Sequence, residues 1–193
     1  MFKIVCVTDR KLCSDFTERI EKLYKNGITV ILREKDLSGD DYKELARRII
    51  SVCPDVILHS YINEAADLGA KKIHLPLHMM NKSIKSTFET VGVSVHSPEE
   101  AKAAEKMGAD YVTAGHIFAT DCKKGLEPRG LDFLERVKRS VNIPVYGIGG
   151  ISPRNISQIK ERGADGACIM SGFMQCENIE KYLEEISENL LKK

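Results

Sequence analysis

The segment Gly108-Ala109-Asp110-Tyr111-Val112-Thr113-Ala114-Gly115 decides the fold, because it joins the end of a helical pattern to a short run of apolar and β-branched residues. Glycine suits the left-handed residue that ends a helix, and the run that follows is typical of a buried strand. The same order recurs at Gly69-Ala70-Lys71 and at Gly163-Ala164-Asp165. This repetition predicts a chain built from successive helix and strand units.

Short apolar runs alternate with amphipathic segments along the whole chain, which favours βα units and a parallel sheet. The predicted strands are residues 3–8, 28–33, 55–59, 72–75, 91–95, 111–115, 144–148 and 166–170. Eight such units predict a TIM (β/α)8 barrel, with residues 1–193 forming one domain. The alternative is an open doubly wound sheet, which usually carries a glycine-rich turn after its first strand, whereas Thr8-Asp9-Arg10-Lys11 has no glycine.

Helix starts are marked by two serine-proline pairs. Ser97-Pro98-Glu99-Glu100 offers an N-cap serine, a first-turn proline and a capping-box glutamate, and Ser152-Pro153 repeats the order of cap and proline. The chain is short for this kind of barrel, so some helices must be short, and residues 82–87 are the expected example.

Composition excludes several classes of partner. The chain of 193 residues is 42% hydrophobic and 30% charged, with a net charge of +1, which offers no basic face for nucleic acid or an anionic membrane. Six cysteines include no Cys-x-x-Cys pair, so we expect reduced thiols rather than disulfides or a metal-thiolate site. Without a membrane-spanning apolar run or a signal-peptide pattern, a cytoplasmic location is expected, and the sequence leaves a homo-oligomer open.

The carboxyl ends of the predicted strands carry mostly basic and small residues, which suits an anionic ligand. Gly149 and Gly150 follow strand seven, and Ser171 and Gly172 follow strand eight. Exposed backbone N–H groups there, with the start of a short helix beyond strand eight, predict phosphate binding. The alternative is that the glycine pair only turns the chain.

His116 is the candidate catalytic residue, because it follows strand six and imidazole exchanges protons near neutral pH. The alternative is a structural histidine, and the other four histidines are assigned no catalytic role. In the same loop Lys123 is predicted to contact the ligand, whereas a solvated surface charge is the alternative. Cys122 lacks a dedicated base and is predicted to be inert.

Arg33 and Lys35 occupy alternate positions at the end of strand two. Side chains at alternate positions share a face of the strand, so the two cations form a candidate anion clamp. A surface ion pair with Glu34 is the equally weighted alternative.

Several motifs resemble the thiamine phosphate synthase superfamily along nearly the whole chain. They are Val7-Thr8-Asp9-Arg10, Leu32-Arg33-Glu34-Lys35, Gly92-Val93-Ser94-Val95-His96, Gly108-Ala109-Asp110-Tyr111, Gly147-Ile148-Gly149-Gly150-Ile151 and Gly163-Ala164-Asp165-Gly166. In the synthase branch, an Asn-Asp pair after strand three and an Asp after strand four hold a pyrimidine diphosphate with magnesium. Those positions fall here on His59, Ser60 and Met79, which are poor magnesium ligands.

The run from Gly115 to Glu127 resembles instead the TenI branch, which has a histidine where synthases usually carry proline. That branch contains thiazole tautomerases, so the resemblance implies a cofactor-free aromatisation of a carboxylated dihydrothiazole phosphate with His116 as acid and base. Thr120 and Ser94 match positions that contact substrate in the synthase branch. The alternatives are a thiamine phosphate synthase with displaced magnesium ligands and a non-catalytic TenI-like regulator.

Overall fold

Eight parallel strands close into a barrel in the structure of the protein, a computed structural model that describes residues 2–120 and 125–191. The strands are β1 (Lys3–Val7), β2 (Thr29–Leu32), β3 (Ile57–His59), β4 (Lys72–Pro76), β5 (Thr90–Val95), β6 (Tyr111–Gly115), β7 (Val145–Ile148) and β8 (Gly166–Ile169). Each strand pairs with its neighbour in sequence, and β8 pairs with β1. The predicted TIM barrel is confirmed, and every predicted strand end lies within two residues of the observed one.

The helices of the described chain surround the barrel. They are α1 (Phe16–Lys25), α2 (Gly39–Val52), α3 (Ile62–Asp67), α4 (Ile84–Thr87), α5 (Pro98–Lys106), α6 (Gly130–Ser140), α7 (Ile156–Glu161), α8 (Ser171–Gln175) and α9 (Ile179–Leu191), with 3-10 turns at Arg10–Leu12 and Leu77–Met79. The helix expected after residue 82 is confirmed as the four-residue α4. None of the helices formed by the described residues is long and apolar enough to cross a membrane.

One of the two predicted helix starts is confirmed and the other is wrong. Ser97 caps α5 as expected, since its side chain accepts a hydrogen bond from the Glu100 amide and Pro98 opens the helix. The prediction for Ser152-Pro153 is wrong, because α7 begins at Ile156. The Ser152 amide instead donates to Asn155 Oδ1 at 2.8 Å, which closes a turn before the helix begins.

The apolar residues form two separate layers. One lies between the strands and the helices, and the other fills the inside of the barrel with Val5, Val7, Ile31, Ile57, Tyr111, Tyr146 and Cys168. The two tyrosine rings stack with their centroids 5.0 Å apart. Glycines make room for them, because a Cβ on Gly92 would meet the Tyr111 ring and one on Gly166 would meet the Tyr146 ring.

Candidate active site

A small cavity lies on the barrel axis near the carboxyl ends of the strands. We call it the axial pocket; its volume is about 50 Å³, and it is lined by Val7, Ile31, Arg33, His59, His74, Ser94, Thr113 and Ile148. These residues come from β1, the end of β2, and β3 to β7. The pocket therefore combines an apolar wall with one guanidinium, two imidazoles and two hydroxyls.

Arg33 faces this pocket because its neighbour Glu34 points the other way. Glu34 is buried, accepts a hydrogen bond from the Thr8 hydroxyl at 2.6 Å, and forms an ion pair with Arg10 at 3.1 Å. The Arg33 amide donates to the Thr8 hydroxyl at 2.9 Å, which fixes the backbone between them. The ion pair that the structure gives Glu34 is with Arg10, so Glu34 does not bind the neighbouring Arg33 guanidinium.

His59 and His74 are neutral in this environment. Burial, followed by the charges of His74, Arg33 and Lys35, lowers the pKa of His59 to about 2. Burial, followed by Arg33 and Lys35, lowers the pKa of His74 to about 3. The pocket therefore contains fixed neutral imidazoles and a positive charge near physiological pH.

His74 lies at the centre of a hydrogen-bonded group inside the barrel. Its Nδ1 is 3.1 Å from the Tyr111 hydroxyl, and its Nε2 is 2.8 Å from Ser94 Oγ. The Thr113 hydroxyl lies 3.3 Å from Ser94 Oγ and 3.4 Å from His74 Nε2. Ser94 therefore sits at the pocket with its oxygen held from two sides.

His116 directly follows β6 and is 6% exposed. Its backbone carbonyl accepts from the Arg129 amide at 2.9 Å, and its Nε2–H donates to the Leu126 carbonyl at 3.3 Å. Nδ1 is buried and has no hydrogen-bond partner among the described residues. Since a carbonyl can only accept, the neutral ring carries its proton on Nε2 and its lone pair on Nδ1.

His96, which the sequence left without a role, lies beside the same strand end. It is exposed, and its Nδ1–H donates to the Gly115 carbonyl at 3.1 Å. That bond places the lone pair on Nε2. His96 thus hydrogen-bonds to the residue that precedes His116, and in their neutral forms the two rings carry their protons on different nitrogens.

The two loops of the predicted phosphate site lie side by side, because β7 and β8 are paired. Gly149 and Gly150 have φ values of +102° and +66°, and within the described chain their amides donate no hydrogen bond. Ser171 opens α8, where the first N–H groups have no partner inside the helix. Gly172 also has a packing role, since a Cβ there would meet the Tyr182 hydroxyl.

The loop after β6 packs against this glycine pair. A Cβ on Gly149 would lie 2.8 Å from His116 Cα, and a Cβ on Gly150 would meet the Ala119 carbonyl. The structure thus brings His116 next to the candidate phosphate loop. Thr120 is half-buried in the same loop, whereas Lys123 and Cys122 lie outside the described residues.

The described residues at the positions expected for magnesium ligands do not fit this cation. His59 ends β3 and Ser60 follows it, with Ser60 Oγ 2.7 Å from His59 Nδ1, and Met79 lies beyond β4. No group of three or more metal-ligating His, Cys, Asp or Glu residues occurs among residues 2–120 and 125–191. Imidazole and thioether groups replace the hard oxygen donors that this cation prefers.

A second and larger cavity, here called the basal cavity, lies at the opposite end of the barrel. Its volume is about 430 Å³, and its walls come from the starts of strands, including Lys3, Thr29, Lys72 and Tyr111. Lys72 pairs with Asp55 at 2.9 Å.

His59 and His74 line the axial pocket although neither was predicted to do so. For His74, the sequence carried a signal. In β4, Ile73 and Leu75 belong to the layer that faces the helices. Because side chains alternate along a strand, His74 between them must face the barrel axis. Reading this alternation would have placed His74 in the pocket.

Known proteins similar to this chain include thiamine-phosphate synthases and a thiamine phosphate pyrophosphorylase. The family model described as thiamine monophosphate synthase matches residues 4–173. A thiamine-phosphate synthase of Fusobacterium nucleatum is 33% identical over 97% of this chain and 96% of that protein, and one of Clostridium acetobutylicum is 34% identical over 92% and 90%. The solved thiamine phosphate pyrophosphorylase of Pyrococcus furiosus has a TM-score of 0.84 at 29% identity, covering 98% of this chain and 95% of its own.

Proposed function

This chain belongs to the thiamine monophosphate synthase family, and we propose that it is a thiazole tautomerase of thiamine biosynthesis. Its substrate is a carboxylated dihydrothiazole ethyl phosphate, and its product is the aromatic tautomer. The reaction moves one proton and needs no cofactor. It is an isomerisation, in contrast to the group transfer that joins a pyrimidine to a thiazole.

The observation that carries this proposal is the state of His116. A buried polar atom without a partner costs about 1–3 kcal/mol, so such atoms are rare in native proteins. Nδ1 of His116, without a partner in the part of the chain that the structure describes, carries a lone pair at the carboxyl end of a barrel strand, where TIM-barrel enzymes carry out their chemistry. It is a base held in place by the Leu126 carbonyl on the other side of the ring.

The neighbouring loops support a phosphate-bearing substrate. The amides of Gly149 and Gly150, which donate no hydrogen bond within residues 2–120 and 125–191, and the start of α8 at Ser171 offer N–H donors to one anion. Gly149 contacts His116 closely, so a phosphate bound there would hold the attached ring beside the imidazole. Thr120 and Lys123 complete the proposed substrate contacts from the loop after β6.

One histidine can carry out both proton transfers of this reaction. Nδ1 removes the proton from the ring carbon that bears the carboxylate, and the electron pair moves through the ring to the exocyclic alkene. The imidazolium then returns a proton to the exocyclic carbon, which regenerates the neutral ring and leaves an aromatic thiazole. Proton transfer by one positioned group typically contributes about 10² to 10⁴ in rate.

A thiamine phosphate synthase is the second candidate, and the names of the relatives favour it. The donor groups at the ends of β3 and β4 argue against it. The resemblance places the Asn-Asp pair of the synthase branch on His59 and Ser60 and its second Asp on Met79, so a neutral imidazole and a thioether replace two of the three oxygen ligands.

Product analysis distinguishes the two reactions. The wild-type protein is incubated with the dihydrothiazole carboxylate phosphate in the presence of a chelator, and separately with pyrimidine diphosphate, thiazole phosphate and magnesium. We expect aromatisation above the buffer rate in the first mixture and no thiamine phosphate in the second. Thiamine phosphate without aromatisation would assign the chain to the synthases.

A further inference from the structure

We propose that the axial pocket is the subsite for the substrate carboxylate, and that Tyr111 and His74 are positioning residues that turn the Ser94 hydroxyl into a donor toward it. The inference rests on the proposed function for the identity of the substrate. It adds a specificity-determining group and two residues that act through it.

The first step concerns the protonation of His74. The Tyr111 hydroxyl, 3.1 Å from His74 Nδ1, is buried with the ring. Among the described residues, this hydroxyl has His74 Nδ1 as its hydrogen-bond partner. We take Tyr111 as the donor to Nδ1, which leaves the His74 proton on Nε2.

The second step concerns Ser94. His74 Nε2–H donates to Ser94 Oγ at 2.8 Å, and the Thr113 hydroxyl donates to the same oxygen at 3.3 Å. A hydroxyl oxygen has two acceptor sites and one proton. With both acceptor sites filled, Ser94 presents only its O–H to the axial pocket. The ligand group that it meets must therefore be a hydrogen-bond acceptor.

The third step uses the size and charge of the pocket. A cavity needs about 10–15 Å³ of such volume to hold one water, and the axial pocket has about 50 Å³. This is room for a small polar group such as a carboxylate. Arg33 lines the pocket and supplies the positive charge, and low pKa values keep His59 and His74 from adding further charge.

Two probes that differ only in the carboxylate test the subsite. They are the aromatic thiazole carboxylate ethyl phosphate and the same thiazole ethyl phosphate without the carboxylate, with binding measured by calorimetry. Hydrogen bonds to charged groups suggest that the wild type prefers the carboxylated probe by about 10-fold or more. We expect Ser94→Ala to reduce this preference by about 10-fold and to leave binding of the second probe unchanged. Equal wild-type affinity for both probes would overturn the assignment.

Two tyrosine variants test the positioning role of Tyr111. Tyr111→Phe removes the donor to His74, and Tyr146→Phe removes a hydroxyl from the ring stacked on it. We expect a several-fold loss of carboxylate preference in the first variant and none in the second. ¹⁵N NMR of labelled histidine should show the His74 proton on Nε2 in the wild type. A proton on Nδ1, or equal losses in both tyrosine variants, would contradict the positioning role.

Failure of this inference differs from failure of the proposed function. An enzyme that aromatises the substrate but binds both probes equally keeps the function and overturns the carboxylate subsite. A protein that prefers the carboxylated probe in the manner described, but does not aromatise the substrate, keeps the subsite and overturns the tautomerase.

Discussion

The two ends of the barrel differ in the hydrogen-bond partners of their polar groups as well as in the volume of their cavities. The basal cavity is the larger by volume, about 430 Å³ against about 50 Å³ for the axial pocket. At the basal end, Lys72 is already paired with Asp55. At the carboxyl end, His116 Nδ1 has no hydrogen-bond partner among the described residues, and Ser94 lines the axial pocket.

A buried acceptor without a partner, rather than empty volume, distinguishes the carboxyl end. Among the described residues, His116 Nδ1 is the buried side-chain nitrogen or oxygen that lacks a hydrogen-bond partner, and it lies at this end of the barrel. This agrees with the general rule that catalytic groups of such barrels sit at the carboxyl ends of strands, whereas the other end serves stability.

The largest expected effect comes from His116→Ala. Removing the base should reduce turnover of the dihydrothiazole by about 10² to 10⁴ and leave affinity for the aromatic product nearly unchanged. His78→Ala, at an exposed histidine outside the site, is the matched control and should keep wild-type kinetics. Turnover by the His116 variant within a few-fold of wild type would remove the imidazole from the mechanism.

Two glycine-to-alanine variants, one at each end of the barrel, compare the two ends directly. Gly149 at φ +102° faces His116, and Gly27 at φ +76° lies in the basal cavity with nothing within 4 Å of a Cβ. Both alanine variants incur left-handed strain of about 1–2 kcal/mol. Gly149→Ala adds a clash, so we expect a total of about 2–4 kcal/mol together with lost turnover. Urea unfolding and kinetics measure both, and equal behaviour of the two variants would mean that the contact with His116 is unimportant.

Low pH should reduce the free energy of unfolding, because His59 and His74 in the axial pocket are buried and neutral. The pKa values of His59 and His74 are about 2 and about 3, so below pH 6.5 the unfolded chain binds protons that the folded chain does not. Stability is then complete above pH 6.5 and falls with pH, by up to about 1.4 kcal/mol per unit for each histidine. Between pH 7 and pH 5, His59→Gln should lose about 1–2 kcal/mol less than wild type in urea unfolding. An unchanged pH dependence would contradict the neutral buried state.

The smallest effect is expected at the basal end. Lys72→Ala breaks a pair whose side chains are 35% and 69% exposed. Such pairs contribute about 0–1 kcal/mol, and we expect no change in turnover. A loss of turnover of 10-fold or more, with thermal stability intact, would show that the basal cavity takes part in the reaction.

The fold was readable from the sequence because barrel strands are covered on both faces and appear as short apolar runs. Gly69, Gly108 and Gly163 marked the helix ends correctly, with φ values of +66°, +95° and +79°. Ser152-Pro153 is followed by a turn rather than by the helix itself. The Ser152 amide donates to Asn155 Oδ1, the Ser152 carbonyl accepts from the Ile156 amide, and α7 begins at Ile156.

The contacts within the candidate site could be predicted less completely from the sequence. The sequence placed His116, Gly149 and Ser171 at strand ends, but the contact between the first two depends on how neighbouring loops pack. That Glu34 would bind Arg10 rather than Arg33 depends on a bond across β1 and β2. The network around His74 joins β4, β5 and β6, so its partners are distant in sequence.

A single-turnover isotope experiment tests the central claim most directly. The wild-type enzyme, in excess and with a chelator present, is mixed with dihydrothiazole substrate carrying hydrogen or deuterium on the ring carbon next to the carboxylate, and aromatisation is followed by absorbance. If the buried imidazole removes that proton, the enzyme accelerates aromatisation over buffer and the deuterated substrate reacts several-fold more slowly. Equal rates for the two substrates, or rates no faster than buffer, would contradict proton abstraction at this end of the barrel.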